Sequence, residues 1–159
     1  MTTRGILLLG HIFGFVLWFG VTFTVSLISA RAKRTGDRTV MAFAYRSSQG
    51  MLKGPGLIGA ILAIVCGFGL TGVMEYGYFE PWPNHWMFQM QLMGVLAFLA
   101  MILLQLPNAE RLARAAEASA AADEDSEAFV SFHKRHALIS SVIGLMLLVA
   151  LVLGSLKPV

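Results

Sequence analysis

From Ile6 to Ala30 the chain runs 25 residues with no acidic side chain, no Lys or Arg, and one histidine, His11. About 20 apolar residues suffice to cross the hydrocarbon core of a bilayer. In lipid a lone segment satisfies its own N–H and C=O groups only as a helix. This stretch therefore commits the chain to a membrane and to helices. Three more stretches share its character: residues 56–74, 86–106 and 137–156. Proline suits the first helical turn and disrupts a helix interior. Pro55 thus predicts the start of the second span, Pro107 the end of the third, and Lys157-Pro158 closes the fourth. The predicted fold is all-α, one domain over residues 1–159 built as an antiparallel four-transmembrane-helix bundle.

Composition agrees. Apolar residues make up 57% and charged residues 13%, against about 25% charged in soluble domains. The net charge of +3 does not point to nucleic acid, because the basic residues flank the spans. A cleaved leader has an apolar core of about 7–15 residues, so the first run reads as a retained span. Cys66 is the only cysteine, which leaves no intramolecular disulfide and no CxxC motif.

The flanking charges predict orientation. Of 12 Lys and Arg, 10 lie in the first and third connections: Arg31, Lys33, Arg34, Arg38, Arg46, Lys53, Arg111, Arg114, Lys134 and Arg135. The positive-inside rule puts these loops in the cytoplasm, with both termini outside. The expected location is a bacterial inner membrane. The opposite loop carries Tyr76, Tyr78, Phe79, Trp82 and Trp86, aromatics suited to the headgroup level. Residues 38–52 predict a short interfacial helix. Residues 108–126 predict a separate cytoplasmic helical linker with Asn108 as N-cap, fraying at the solvated acidic run Asp123-Glu124-Asp125.

An ionisable group inside a span is costly and usually functional, so His11 is the first candidate site residue. Helical spacing sets His11, Gly14, Phe15 and Trp18 on one face. His11 either ligates a metal or haem iron, or bonds to a neighbouring helix while glycines serve packing. Gly59, Ala63 and Gly67 repeat every fourth residue, a pattern for close helix contact or for seating a flat cofactor. His85 opens the third span at the same membrane end, with Met74, Met87 and Met90 at similar depth. A His and Met set fits haem iron or Cu(I); the alternatives are an interfacial histidine and core-filling methionines. His133 and His136 lie near the other end, about 20 Å from His11 by helix rise. They offer two metal ligands or a membrane-edge anchor. Gln89, Gln91 and Gln105 could bond between helices or meet a quinone or porphyrin edge. No P-loop, dinucleotide fingerprint or Ser-His-Asp set is visible, and the spans hold no Asp or Glu.

The run Leu9-Gly10-His11-Ile12-Phe13-Gly14-Phe15-Val16-Leu17-Trp18-Phe19-Gly20 resembles the first helix of CopD-like copper-resistance proteins and HemJ-type protoporphyrinogen oxidases. The ending Leu153-Gly154-Ser155-Leu156-Lys157-Pro158 is similar to theirs, and the likeness covers nearly the whole chain. It implies a four-helix bundle and makes His11 a haem ligand. It does not carry the oxidase activity: no Lys follows Trp86, and the polar Arg and Asn-Glu motif is missing before Ala137. The leading expectation is a haem b site with His11 and His85 as iron ligands and Gly14 and Trp18 beside them, serving electron transfer or porphyrin chemistry. The alternatives are a copper-handling protein and a non-catalytic subunit of a larger complex. The expected partners are the lipid bilayer and other membrane subunits or a redox protein, with no nucleic acid.

Overall fold

The computed structural model describes residues 2–81 and 85–156. Trp82 and the Lys157-Pro158 ending lie outside them. The elements are α1 (Thr3–Thr35), α2 (Arg38–Met51), α3 (Leu57–Val73), α4 (His85–Ala100), α5 (Leu106–Ala122) and α6 (Glu127–Leu156). Among the described residues there is no strand. Two π-helical turns, Leu52–Gly56 and Met101–Gln105, weld α2 to α3 and α4 to α5. The result is four rods, over residues 3–35, 38–73, 85–122 and 127–156, each long and apolar enough to cross a membrane. The all-α, four-span reading of the sequence is what the chain adopts.

The prolines do not act as boundaries, and this corrects two expectations. Pro55 sits inside the first π turn and Pro107 directly follows the second. Proline lacks an N–H and its ring crowds the carbonyl four residues back. A π turn inserts one residue and shifts that carbonyl aside, so the rod continues. The short helix expected over residues 38–52 forms as α2, but it runs on into α3 through the first π turn. The helix expected over residues 108–126 forms as α5 but continues from α4, and Asn108 is interior rather than an N-cap: its amide donates to the Phe132 carbonyl at 3.1 Å.

At 1.5 Å per residue the rods are about 45–57 Å long, against a core of about 30 Å. The excess lies at the end where the basic residues gather. There Gly36 adopts a left-handed φ of 68°, and Asp37 caps α2 by accepting from the Thr39 and Val40 N–H groups at 2.8 and 3.1 Å. Two residues thus reverse the chain. The acidic run is also tied down rather than free. Arg38 donates to Asp123 at 2.7 Å and to Asp125 at 3.1 Å. Ser126 then accepts from the Phe129 N–H at 3.1 Å to open α6.

Two apolar clusters hold the rods. One lies within the spans, around Trp18, Val25, Leu52, Ala63, Met101, Ile143 and Leu147, with Trp18 edge-on to Phe98. The other binds the basic-end extension through Met41, Tyr45, Leu112, Ala116 and Phe129. Lys53–Glu110, Arg114–Glu110 and Arg46–Glu117 pairs edge this second cluster. Large side chains such as Leu9, Phe13, Val16, Phe23, Val65, Leu103 and Leu145 face outward, as a lipid-facing surface does.

Candidate functional site

The α1–α3 contact sets the geometry of His11. A Cβ on Gly14 would meet the Ala63 nitrogen at 2.5 Å, and one on Gly59 would meet the Trp18 nitrogen at 2.7 Å. The two backbones touch, as the small-residue repeat implies. Gly14 is buried in this contact. Gly67 is empty for another reason: a Cβ there would lie 2.9 Å from His11 Nδ1. The ring occupies the notch that this glycine leaves.

His11 is half-buried, and its Nδ1 stands 2.7 Å from the Ala63 carbonyl oxygen. A carbonyl only accepts, so Nδ1 carries the proton. In the neutral ring the lone pair is then on Nε2. A backbone carbonyl on one ring nitrogen is the usual way a protein orients a histidine whose other nitrogen ligates a metal.

His11 borders a cleft of about 760 Å³, walled by α1, α3, α4 and α6. It runs along α1 from Arg4 to Gly20, about 24 Å. Phe15, Trp18, Phe19, Leu70, Leu147 and Leu151 make it chiefly apolar, and Met74, Met87 and Met90 also reach it. Arg4, Tyr76, Trp86 and Ser155 stand at its end away from the basic loops. Trp18 is 1% exposed and its Nε1 has no hydrogen-bond partner. A site of this size, mostly apolar with a few placed polar groups, is typical of small-molecule and cofactor binding.

The four residues singled out from sequence separate. His11 and Trp18 share the cleft, Gly14 faces α3, and His85 is half-buried at the start of α4 without lining the cleft. Gln91 is spent on the loop beyond α3. It accepts from the Phe79 N–H at 2.7 Å and donates to the Gly77 carbonyl at 3.3 Å. Gln105 donates to Ser140 at 3.2 Å, so that residue does bond between helices. Gln89 is exposed. Arg4 at the cleft went unread because it lies outside the apolar run.

His133 and His136 belong to another cavity, about 500 Å³, at the basic end between α1 and α6. His133 Nδ1 pairs with the Tyr45 hydroxyl at 2.8 Å. Burial, and then the nearby Lys33 ammonium, hold the His133 imidazole below its usual pKa. Burial pushes the Tyr45 phenol up to about 12. Among the described residues no three His, Cys, Asp or Glu side chains gather as a metal-binding group.

Four apolar rods with a half-buried histidine bordering a cleft define a small multi-spanning integral membrane protein. Residues 5–158 match the family described as Predicted integral membrane protein (DUF2269), and the chain belongs to that family. No curated protein and no solved structure matches it.

Proposed function

We propose that the outer cleft binds haem b, with His11 Nε2 as an axial ligand. The observation that carries this reading is the His11–Ala63 bond, which places a proton on Nδ1 and turns Nε2, the lone-pair nitrogen of a neutral imidazole, away from α3 in a ring seated by Gly67. The chemistry of the lining fits the group. Phe15, Phe19, Leu70 and Leu147 offer apolar surface to a macrocycle, and Arg4 offers a cation for its carboxylates about 10 Å along the helix from His11. Met74, Met87 and Met90 are the ligands available for a second axial position, ahead of His85. Bound haem supplies one-electron chemistry. The chain orients the iron ligand through Ala63 and keeps water from its faces with aromatic and aliphatic side chains. This reading is in keeping with the resemblance to CopD-like and HemJ-type proteins. The basic loops would face the cytoplasm of a bacterium, with both termini across the inner membrane. A redox protein or another membrane subunit would be the electron partner.

The same three thioethers favour Cu(I) as the second reading, since soft ligands select it. Absorption spectra of the purified protein, oxidised and reduced, separate the two. Haem binding gives a Soret band that shifts or vanishes in His11→Ala. A protein with no Soret band after growth with added haem precursor, or with one unchanged in His11→Ala, overturns the haem reading. Metal analysis after growth in copper then tests the second. If both fail, His11 is a helix-to-helix tie in a non-catalytic subunit.

A further inference from the structure

The cavity at the basic end is independent of the cleft and has a different chemistry. Its walls come from the end of α1, with Ser26, Ser29, Lys33 and Arg34, and the start of α6, with His133, His136, Ser140 and Ser141. Ser26, Ser29 and Lys33 are spaced by three and four residues, as are His133, His136 and Ser140. Two polar stripes with the same helical spacing therefore face each other.

The lining is rich in donors. His136 is 3% exposed, and neither ring nitrogen has a partner. Ser29 is 6% exposed, and its hydroxyl also lacks one. Burying such groups unpaired is costly. Gln105 and Asn108 bond to Ser140 and to the Phe132 carbonyl, one helical turn to either side of His136. They fix its stretch of α6 without bonding to the ring. Ser140 accepts from Gln105, so its own proton is free to donate. Ser26 gives its proton to Thr22 and offers the cavity only lone pairs. Neither Lys33 nor Arg34 enters an ion pair among the described residues. Among the described residues no carboxylate lines the cavity.

We propose that this cavity binds a phosphate group, held by Lys33 and Arg34 at its rim and by Ser29, Ser140 and His136 within. The charge-assisted bonds that Lys and Arg make to phosphate are strong, and the buried donors give the oxygens their remaining partners. Lys33 and Arg34 lie just past the end of the apolar run at Ala30, at the level of lipid headgroups. The phosphate therefore has two sources, an anionic phospholipid of that leaflet or a free phosphate.

The test uses the delipidated protein in detergent and three probes. Native mass spectrometry measures retention of phosphatidylglycerol and of a diacylglycerol with the same chains, which lacks the phosphate. Calorimetric titration measures inorganic phosphate. Three variants are compared: K33Q/R34Q, H136F, and R31Q/R135Q, which loses equal charge outside the cavity. K33Q/R34Q is expected to weaken the phosphate-bearing probe by at least about tenfold. R31Q/R135Q should stay within about twofold of wild type. H136F, if it folds, should also lose the probe. Saturation by inorganic phosphate identifies a free-phosphate site; retention of phosphatidylglycerol alone identifies a lipid site. Equal losses in the two double variants, equal retention of the two lipids without phosphate binding, or no binding of any phosphate-bearing probe overturn the proposal.

Discussion

His11 and Ala63 are joined by a 2.7 Å bond from a ring nitrogen to a backbone carbonyl, across a helix contact in which the two backbones meet. One interaction thus ties α1 to α3 and sets which nitrogen faces away. The ring reaches the carbonyl because position 67 is glycine. Gly67→Ala should therefore act on His11 without changing it: its Cβ would come within 2.9 Å of Nδ1. The expected outcome is a weakened or shifted haem absorption, approaching that of His11→Ala. Gly144→Ala, whose Cβ meets nothing within 4 Å, should leave the spectrum intact. Identical spectra in Gly67→Ala and wild type would count against the proposed orientation of the ligand.

The α1–α3 contact has no room for side chains at its centre. Gly14→Val places atoms against the Ala63 nitrogen and the Gly59 oxygen, which are backbone and cannot swing aside. Overpacking of this kind costs about 1–3 kcal/mol or more. Thermal unfolding in detergent should show a clear fall in Tm for Gly14→Val. Gly144→Ala should be neutral or slightly stabilising, by up to about 1 kcal/mol.

At the basic end the apolar cluster, not the ion pairs, should dominate stability. Leu112 is 1% exposed amid Met41, Tyr45 and Phe129. Leu112→Ala is expected to cost about 2–5 kcal/mol. Arg46→Gln breaks an exposed pair with Glu117 at 3.7 Å and should cost about 1 kcal/mol at most. Denaturant titration of the two variants checks the order, and a larger loss from Arg46→Gln would reverse it.

Glu110 gives the extension a pH dependence. The hydrogen bond from Lys53, followed by the charges of Lys53 and Arg114, holds its carboxyl below the usual value. A carboxyl lowered on folding contributes stability above its unfolded pKa and loses it as pH falls through the folded one. Protection from hydrogen exchange in α2 and α5, taken relative to the intrinsic rate at each pH, should therefore fall as pH drops through and below the ordinary carboxylate range. Glu110→Gln should flatten that part of the profile while leaving α1 unaffected.

The spans were legible because membrane helices follow from apolar length alone, and Ile6–Ala30 meets that condition without help from the rest of the chain. The inward face of α1 was legible too. His11, Phe15 and Trp18 reach the cleft, while Phe13 between them is exposed and does not line it. The helix boundaries at Pro55 and Pro107 were misread, because the rule assumes an α-helix and a π turn has no sequence signature of its own. Arg38 meets Asp123 across 85 positions, a pairing that no local pattern encodes. Ser26 and Ser29, opposite His133 and His136, carry no signal of their own in an apolar run. They gained meaning only when α1 and α6 were seen to face each other.

The Met101 side chain of one π turn reaches toward the other: a Cβ on Gly56 would stand 3.4 Å from the Met101 Cε. Each is the midpoint of a rigid rod, with α2 or α5 on one side and cleft-lining α3 or α4 on the other. Gly67 lies about 17 Å beyond Gly56 along its rod. A change of about 5° in the bend there would carry the notch that seats His11 sideways by about 1.5 Å. The basic-end arm and the cleft wall of each rod are thus joined by helix alone, with no loop between them.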